Sequence, residues 1–243
     1  MMAVALQFYS KDRDRAMRLA HWITDIEKSP RSDVMIILVN RFDCAKADEE
    51  TVRKVSSKFP VMTFTTTTKQ YGWPEGCNAM AFDVFRMIED EVDINVYQPG
   101  DPLLLIEPDC VPISRTWLND LTEEWQLAQA QQKCVMGAWR KSGPECGHIN
   151  GNAIFDVDIT RKLPGLSDAM KAVRGTAWDA ALAPYFKGYW YFTGLISNRW
   201  NENTLTDEQI ETPWIGCRVP VLIHGCKSED VWKYAQRKLF PPP

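Results

Sequence analysis

The residues best placed to do chemistry are Glu107 and Asp109, in the run Leu103-Leu104-Leu105-Ile106-Glu107-Pro108-Asp109. An unbroken apolar stretch of this kind reads as a strand buried on both faces. In extended chain, residues i and i+2 point the same way, so both carboxylates can face one crevice. Pro108 between them restricts the backbone. Carboxylate oxygens suit Mg2+ or Mn2+, and Mg2+ sites use one or two carboxylates along with substrate phosphates. A polar loop after a core strand explains the triplet equally well when it is taken alone.

Val221-Leu222-Ile223-His224-Gly225-Cys226-Lys227 has a similar form. Imidazole is a common metal ligand, and lysine is a mobile phosphate partner. Histidine after a strand also serves purely structural ends. The chain has only 3 histidines, however, and this one closes a strand much as Asp109 follows one.

Positioning these groups requires a sheet. Val4–Phe8, Val34–Val39, Val61–Thr66 and Leu103–Ile106 read as strands. Helical spacing over Asp12–Lys28, Lys46–Lys58 and Cys77–Asp90 separates them. This β-α-β-α-β-α-β order predicts an α/β fold: a mainly parallel, Rossmann-like sheet with helices on both faces and ligands beyond the carboxyl ends of the strands. The second half is less regular. It reads as a helix from Ser114 to Lys133, a strand over Cys134–Trp139 and a loop over Lys141–Gly147. Strand composition follows over Ile149–Val157, broken by Asn150-Gly151-Asn152. A helix over Thr176–Phe186, a strand over Val219–Ile223 and a helix over Glu229–Leu239 complete it. No repeat or linker divides the chain. One compact domain with two lobes, 1–112 and 113–243, is expected.

The 243 residues are 45% hydrophobic and 25% charged, enough for a core without staples. A net charge of -4 argues against a generally cationic, nucleic-acid-coating surface. The 7 cysteines show no C-x-x-C pair, which points to a reducing compartment. No leader is recognisable, and no apolar run nears the ~18 residues of a membrane span. A cytoplasmic protein is the expectation.

The order of four β/α units, an acid-x-acid triplet, an Asn/Gly-rich strand, an aromatic-Asp helix and a late His-Gly-x-Lys resembles the GT-A glycosyltransferases. The resemblance spans about Val4 to Trp232 and differs from the usual D-x-D in having Glu107 first. It implies a nucleotide-diphosphate sugar donor, a UDP-sugar by default, with Mn2+ or Mg2+ held by Asp109, His224 and Glu107; 1–112 would be the nucleotide-binding lobe and 113–243 the acceptor lobe with the C-terminal metal-binding strand and helix. It further implies that Gln7, Phe8 and Tyr9 lie near the base, and that Trp73, Gly76 and Asn78 contact the nucleotide or sugar, with Lys227 on the phosphates. Asn150, Gly151, Asn152 and Trp178 would lie beside donor sugar and acceptor, and Asp179 would be the general base of inverting members. The acceptor is open: a glycan or a modified DNA base both fit.

Two other classes compete. A nucleotidyltransferase uses similar sheet and metal chemistry, but the loop Ser10-Lys11-Asp12-Arg13 lacks the glycines expected there. A non-catalytic sugar-binding module, or a zinc domain built on Cys146, His148, Cys217, His224 and Cys226, needs spacings that match no familiar zinc pattern.

Overall fold

The computed structural model describes the chain apart from residues 143–145, 201, 203, 214–217, 226–228 and 242–243, and apart from the side chains of 140–142 and 146. Its strands are β1 (Met2–Phe8), β2 (Val34–Asn40), β3 (Val61–Thr65), β4 (Pro102–Ile106), β5 (Val111–Pro112), β6 (Val135–Ser142), β7 (Cys146–Asp156), β8 (Trp190–Phe192), β9 (Ile196–Asn198) and β10 (Leu222–His224). The helices are α1 (Arg13–Ile26), α2 (Glu49–Ser56), α3 (Cys77–Asp93), α4 (Trp117–Ala130), α5 (Ile159–Lys162), α6 (Leu166–Ala172), α7 (Trp178–Ala181), α8 (Ala183–Phe186), α9 (Asp207–Glu211) and α10 (Asp230–Leu239).

Seven strands form one mixed sheet in the order β3-β2-β1-β4-β7-β6-β8. Strands β3, β2, β1 and β4 run parallel, and β7 is antiparallel to both β4 and β6. Every residue of β1 is buried, which explains why it is apolar throughout except for Gln7 near its carboxyl end. Alternation sends Val4, Leu6 and Phe8 into one core with α1, α4 and α10, while Ala3 and Ala5 meet α3 on the other face. A second sheet of three strands, β5-β10-β9, begins immediately after the acidic triplet.

The first half follows the sequence reading to within a few residues. The second half departs from it more often: helices α5, α6 and α9 and strands β8 and β9 were not anticipated, and three expected elements differ in extent. The proposed loop over 141–147 is partly strand: β6 continues to Ser142 and β7 starts at Cys146. The proposed helix over 176–186 is two single turns, α7 and α8, because Pro184 supplies no N–H to continue the first. Helix α4 starts at Trp117, since the Ser114 hydroxyl is taken by the Thr116 N–H and Thr116 itself occupies the cap position.

Candidate active site

Strands β1 and β4 lie side by side, but the chain passes through β2 and β3 on the far side of β1 before returning to β4. This is a topological switch point, where a crevice opens beyond the strand ends because the flanking connections diverge. Tyr9 leaves β1 there, and Glu107 and Asp109 leave β4.

The second sheet brings the histidine to the same point. β5 follows Asp109 after Cys110 and pairs antiparallel with β10, Val111 with Ile223 and Pro112 with Leu222. That register carries His224 to the carboxylates. Its Nε2 lies 3.3 Å from Glu107 Oε2 and 3.4 Å from Asp109 Oδ1. Gly225 keeps it there: with φ of +86°, a Cβ at this position would fall 2.4 Å from the Trp200 Cα.

Glu107, Asp109 and His224 could together hold a metal ion, with ligand atoms all within 4.8 Å. Among the described residues they form the one such group. The fit is supported by valence left over. Asp109 Oδ1 and both His224 ring nitrogens are buried without a hydrogen bond of acceptable geometry. Buried polar atoms are normally satisfied, and of these orphans Asp109 Oδ1 and His224 Nε2 face each other at 3.4 Å, as two ligands of one cation could. Burial raises the Asp109 carboxyl above its ordinary range. Burial also opposes charge on His224, but the facing carboxylates outweigh it and raise the imidazole. A cation binding here displaces that proton, so affinity should rise with pH.

Asn152 builds the next layer. Its Oδ1 accepts from the Glu107 N–H at 2.8 Å, and its Nδ2 donates to Glu107 Oε2 at 3.2 Å and to Asn150 Oδ1 at 3.1 Å. These residues leave the ladder because β6 pairs Gly137 with Ala153 but Trp139 with Ile149, so 150–152 bulge out of register. The bulge also frees the Gly151 N–H, which donates to Asp179 Oδ2 at 3.0 Å. Gly151 must be small, since a Cβ would sit 2.9 Å from the Trp178 ring. Asp179 is 9% exposed and held by the Ala180 N–H at 2.9 Å, with His148 Nε2 3.5 Å from its Oδ2. Burial raises its carboxyl, and His148 with the backbone donors more than reverses this, so Asp179 stays ionised.

Other expected site residues are differently used. Phe8 is fully buried in the core and has no face left for a base. Trp178 packs edge-on or tilted against Phe82, Phe85 and Phe155, and its aromatic surface is spent on packing. Asn78 donates to Thr176 O and accepts from the Trp178 N–H, fixing the approach to Asp179 rather than facing the crevice. Gln7 is buried and Tyr9 partly exposed at the switch point. Trp73 is 76% exposed on the loop before α3. Gly76 allows Arg41 close approach, since a Cβ would lie 3.2 Å from its Nη1. Lys227 lies outside the described residues, as do Cys217 and Cys226 of the zinc alternative.

The sequence reading gave no role at this site to Asp12 or Arg41, and named His148 as a ligand only in the zinc alternative. The Arg41 guanidinium lies over the Tyr9 ring at 5.0 Å and pairs with Asp43. Asp12 accepts from the Tyr9 N–H at 2.8 Å, and burial pushes its carboxyl up to about 6, with Glu107 and Asp109 adding to the shift. Cys77 is pushed by burial to about 12, which keeps it a neutral thiol. A separate cavity of about 500 Å³ lies between α3 and α6, lined by Phe82, Met170, Arg86 and Arg174 among others. Neither the acidic triplet nor His224 reaches it.

No family model and no curated protein sequence matches the chain. Solved structures do. Apo WbbM, a bifunctional glycosyltransferase, superposes over 100% of this chain with a TM-score of 0.60 at 12% identity. The chain spans 50% of WbbM. Apo mouse xyloside xylosyltransferase 1 gives 0.55 at 11% identity, over 92% of this chain and 97% of its own. The galactosyltransferase LgtC, in complex with donor and acceptor sugar analogs, gives 0.52 at 10% identity, over 95% and 89%. These are GT-A-type glycosyltransferases, and the chain has their fold.

Proposed function

We propose that the protein is a metal-dependent glycosyltransferase that moves a sugar from a nucleotide-diphosphate donor, a UDP-sugar first among them, to an acceptor hydroxyl. The observation that carries this reading is the convergence of Glu107, Asp109 and His224 from two sheets, with buried ligand atoms left unsatisfied, at the switch point of a GT-A fold. Two carboxylates and an imidazole suit Mn2+ or Mg2+ carrying substrate phosphates. Bound there, the ion would neutralise the diphosphate and stabilise it as leaving group.

The chain's own residues supply the rest. Asp109 and His224 are the firmer ligands, and Asn152 aims Glu107. Gln7 and Tyr9 border the nucleotide, joined by Arg41. Trp73 offers a ring face, Gly76 a close backbone approach, and Lys227 a phosphate partner. The acceptor oxygen bonds to the anomeric carbon as the bond from that carbon to the diphosphate oxygen breaks. The electron pair leaves with the diphosphate, and the acceptor proton passes to Asp179. An ionised carboxylate is the form that accepts it. Residues 1–112 serve the donor, and 113–243 bring the acceptor and the last metal ligand. A hydroxyl on a glycan or on a modified DNA base is the acceptor chemistry in view.

The test is release of nucleoside diphosphate from a panel of UDP- and GDP-sugars with Mn2+. Asp109→Ala is expected to lower turnover at least ~100-fold without lowering the melting temperature measured in EDTA. Full activity of that variant in excess EDTA, or pyrophosphate as the product, rejects the reading.

A further inference from the structure

We propose that His148 is a positioning residue for Asp179, acting through that carboxylate and not on the substrate; this rests on the reading of Asp179 above. Helix α7 is a single turn of 4 residues, too short to fix a side chain by its own hydrogen bonds. Asp179 is instead clamped from β7. Its Oδ2 takes the Gly151 N–H at 3.0 Å and faces His148 Nε2 at 3.5 Å, while Oδ1 takes the Ala180 N–H at 2.9 Å. A carboxylate has about four acceptor directions, so three partners leave one for an acceptor hydroxyl.

His148 is the one member of this clamp that a side-chain substitution can remove. It is 4% exposed, and it sits one bulge away from Asn152, which aims Glu107. The same irregular stretch of β7 thus orients both the metal-side carboxylate and the base. The charged or titratable groups electrostatically coupled to Asp179 are His148 from β7, Cys77 from the start of α3, Glu107 after β4 and His224 from β10. Of these, His148 alone pairs with it directly.

The experiment compares His148→Gln with His148→Met, side chains of similar length of which only Gln can donate to Asp179. Nucleoside diphosphate release is followed with Mn2+ and the UDP- and GDP-sugar panel. His148→Met is expected to lower kcat about 10–100-fold, the range typical of outer partners of a reacting group, with donor KM changed by less than about 3-fold. His148→Gln is expected to retain kcat within about 5-fold of wild type. In an Asp179→Asn background, His148→Met should cost nothing further, because coupled residues are non-additive. A kcat for His148→Met within 2-fold of wild type, an equal loss in both variants, or a full additional loss on Asp179→Asn would each overturn the proposal. A wild-type protein inert toward every donor overturns the reading of the site itself, which separates the two failures.

Discussion

Asn152 spends its side chain on Glu107, receiving from that residue's N–H and donating to its carboxylate. It was expected beside a sugar; its amide is hydrogen-bonded to Glu107, a carboxylate of the proposed metal site. Removing such an outer partner typically weakens metal affinity ~10–100-fold. Asn152→Ala should show that loss in a Mn2+ titration, and unchanged affinity would return Asn152 to a sugar-contacting role. Single residues were legible where chemistry and strand ends coincide, as at Asp109 and His224. They were illegible where the role depends on a partner remote in sequence. Nothing in the local run announces that His148 meets Asp179, or that Asn78 will be consumed by the Trp178 N–H. Tryptophan misleads for another reason. Trp178 and Trp73 read alike in a string, yet one is 7% exposed and the other 76%.

At the scale of elements, continuous apolar runs made β1, β2 and β4 easy to read, because strands buried on both faces favour apolar residues, with Gln7 and Asn40 as polar exceptions near their carboxyl ends. The short strands β5, β8 and β9 span two or three residues and carry no period to detect. They matter all the same, since β10 reaches the triplet only by pairing with β5 and β9. Gly225 is the hinge of that arrangement. Gly225→Ala places a methyl group against the Trp200 backbone at a φ that L residues rarely adopt. Strain of this kind costs about 1–3 kcal/mol, so the melting temperature should fall by roughly 2–10 °C and metal-dependent turnover should fall with it. A variant that melts and turns over like wild type would show that His224 is held by other means.

Across the whole molecule, the net charge of -4 hides an uneven distribution, with Asp12, Glu107, Asp109 and Asp179 gathered around one crevice. Asp12 records the cost. Its carboxyl titrates in the folded protein at about 6, above the ordinary 3.8, so folding favours the protonated form. Its ionisation therefore removes stability as pH rises from 3.8 through about 6. Asp12→Asn keeps an acceptor for the Tyr9 N–H and drops the charge. In EDTA it should melt about 2–4 °C above wild type at pH 7.5 and level with it near pH 4. An equal difference at both pH values would show that charge is not the cause. Among the described residues no helix is long and apolar enough to cross a membrane.

β10 is joined to β5 by only two residue pairs, although it carries the histidine that completes the site. An ion gripped by Asp109 and His224 would therefore act as a removable cross-link, closing a loop of nearly half the chain. Long loops are where such clips restrain the unfolded ensemble most. Donor occupancy and the folding of the C-terminal segment would then be one equilibrium, and a chelator would loosen the chain end as it silences the chemistry.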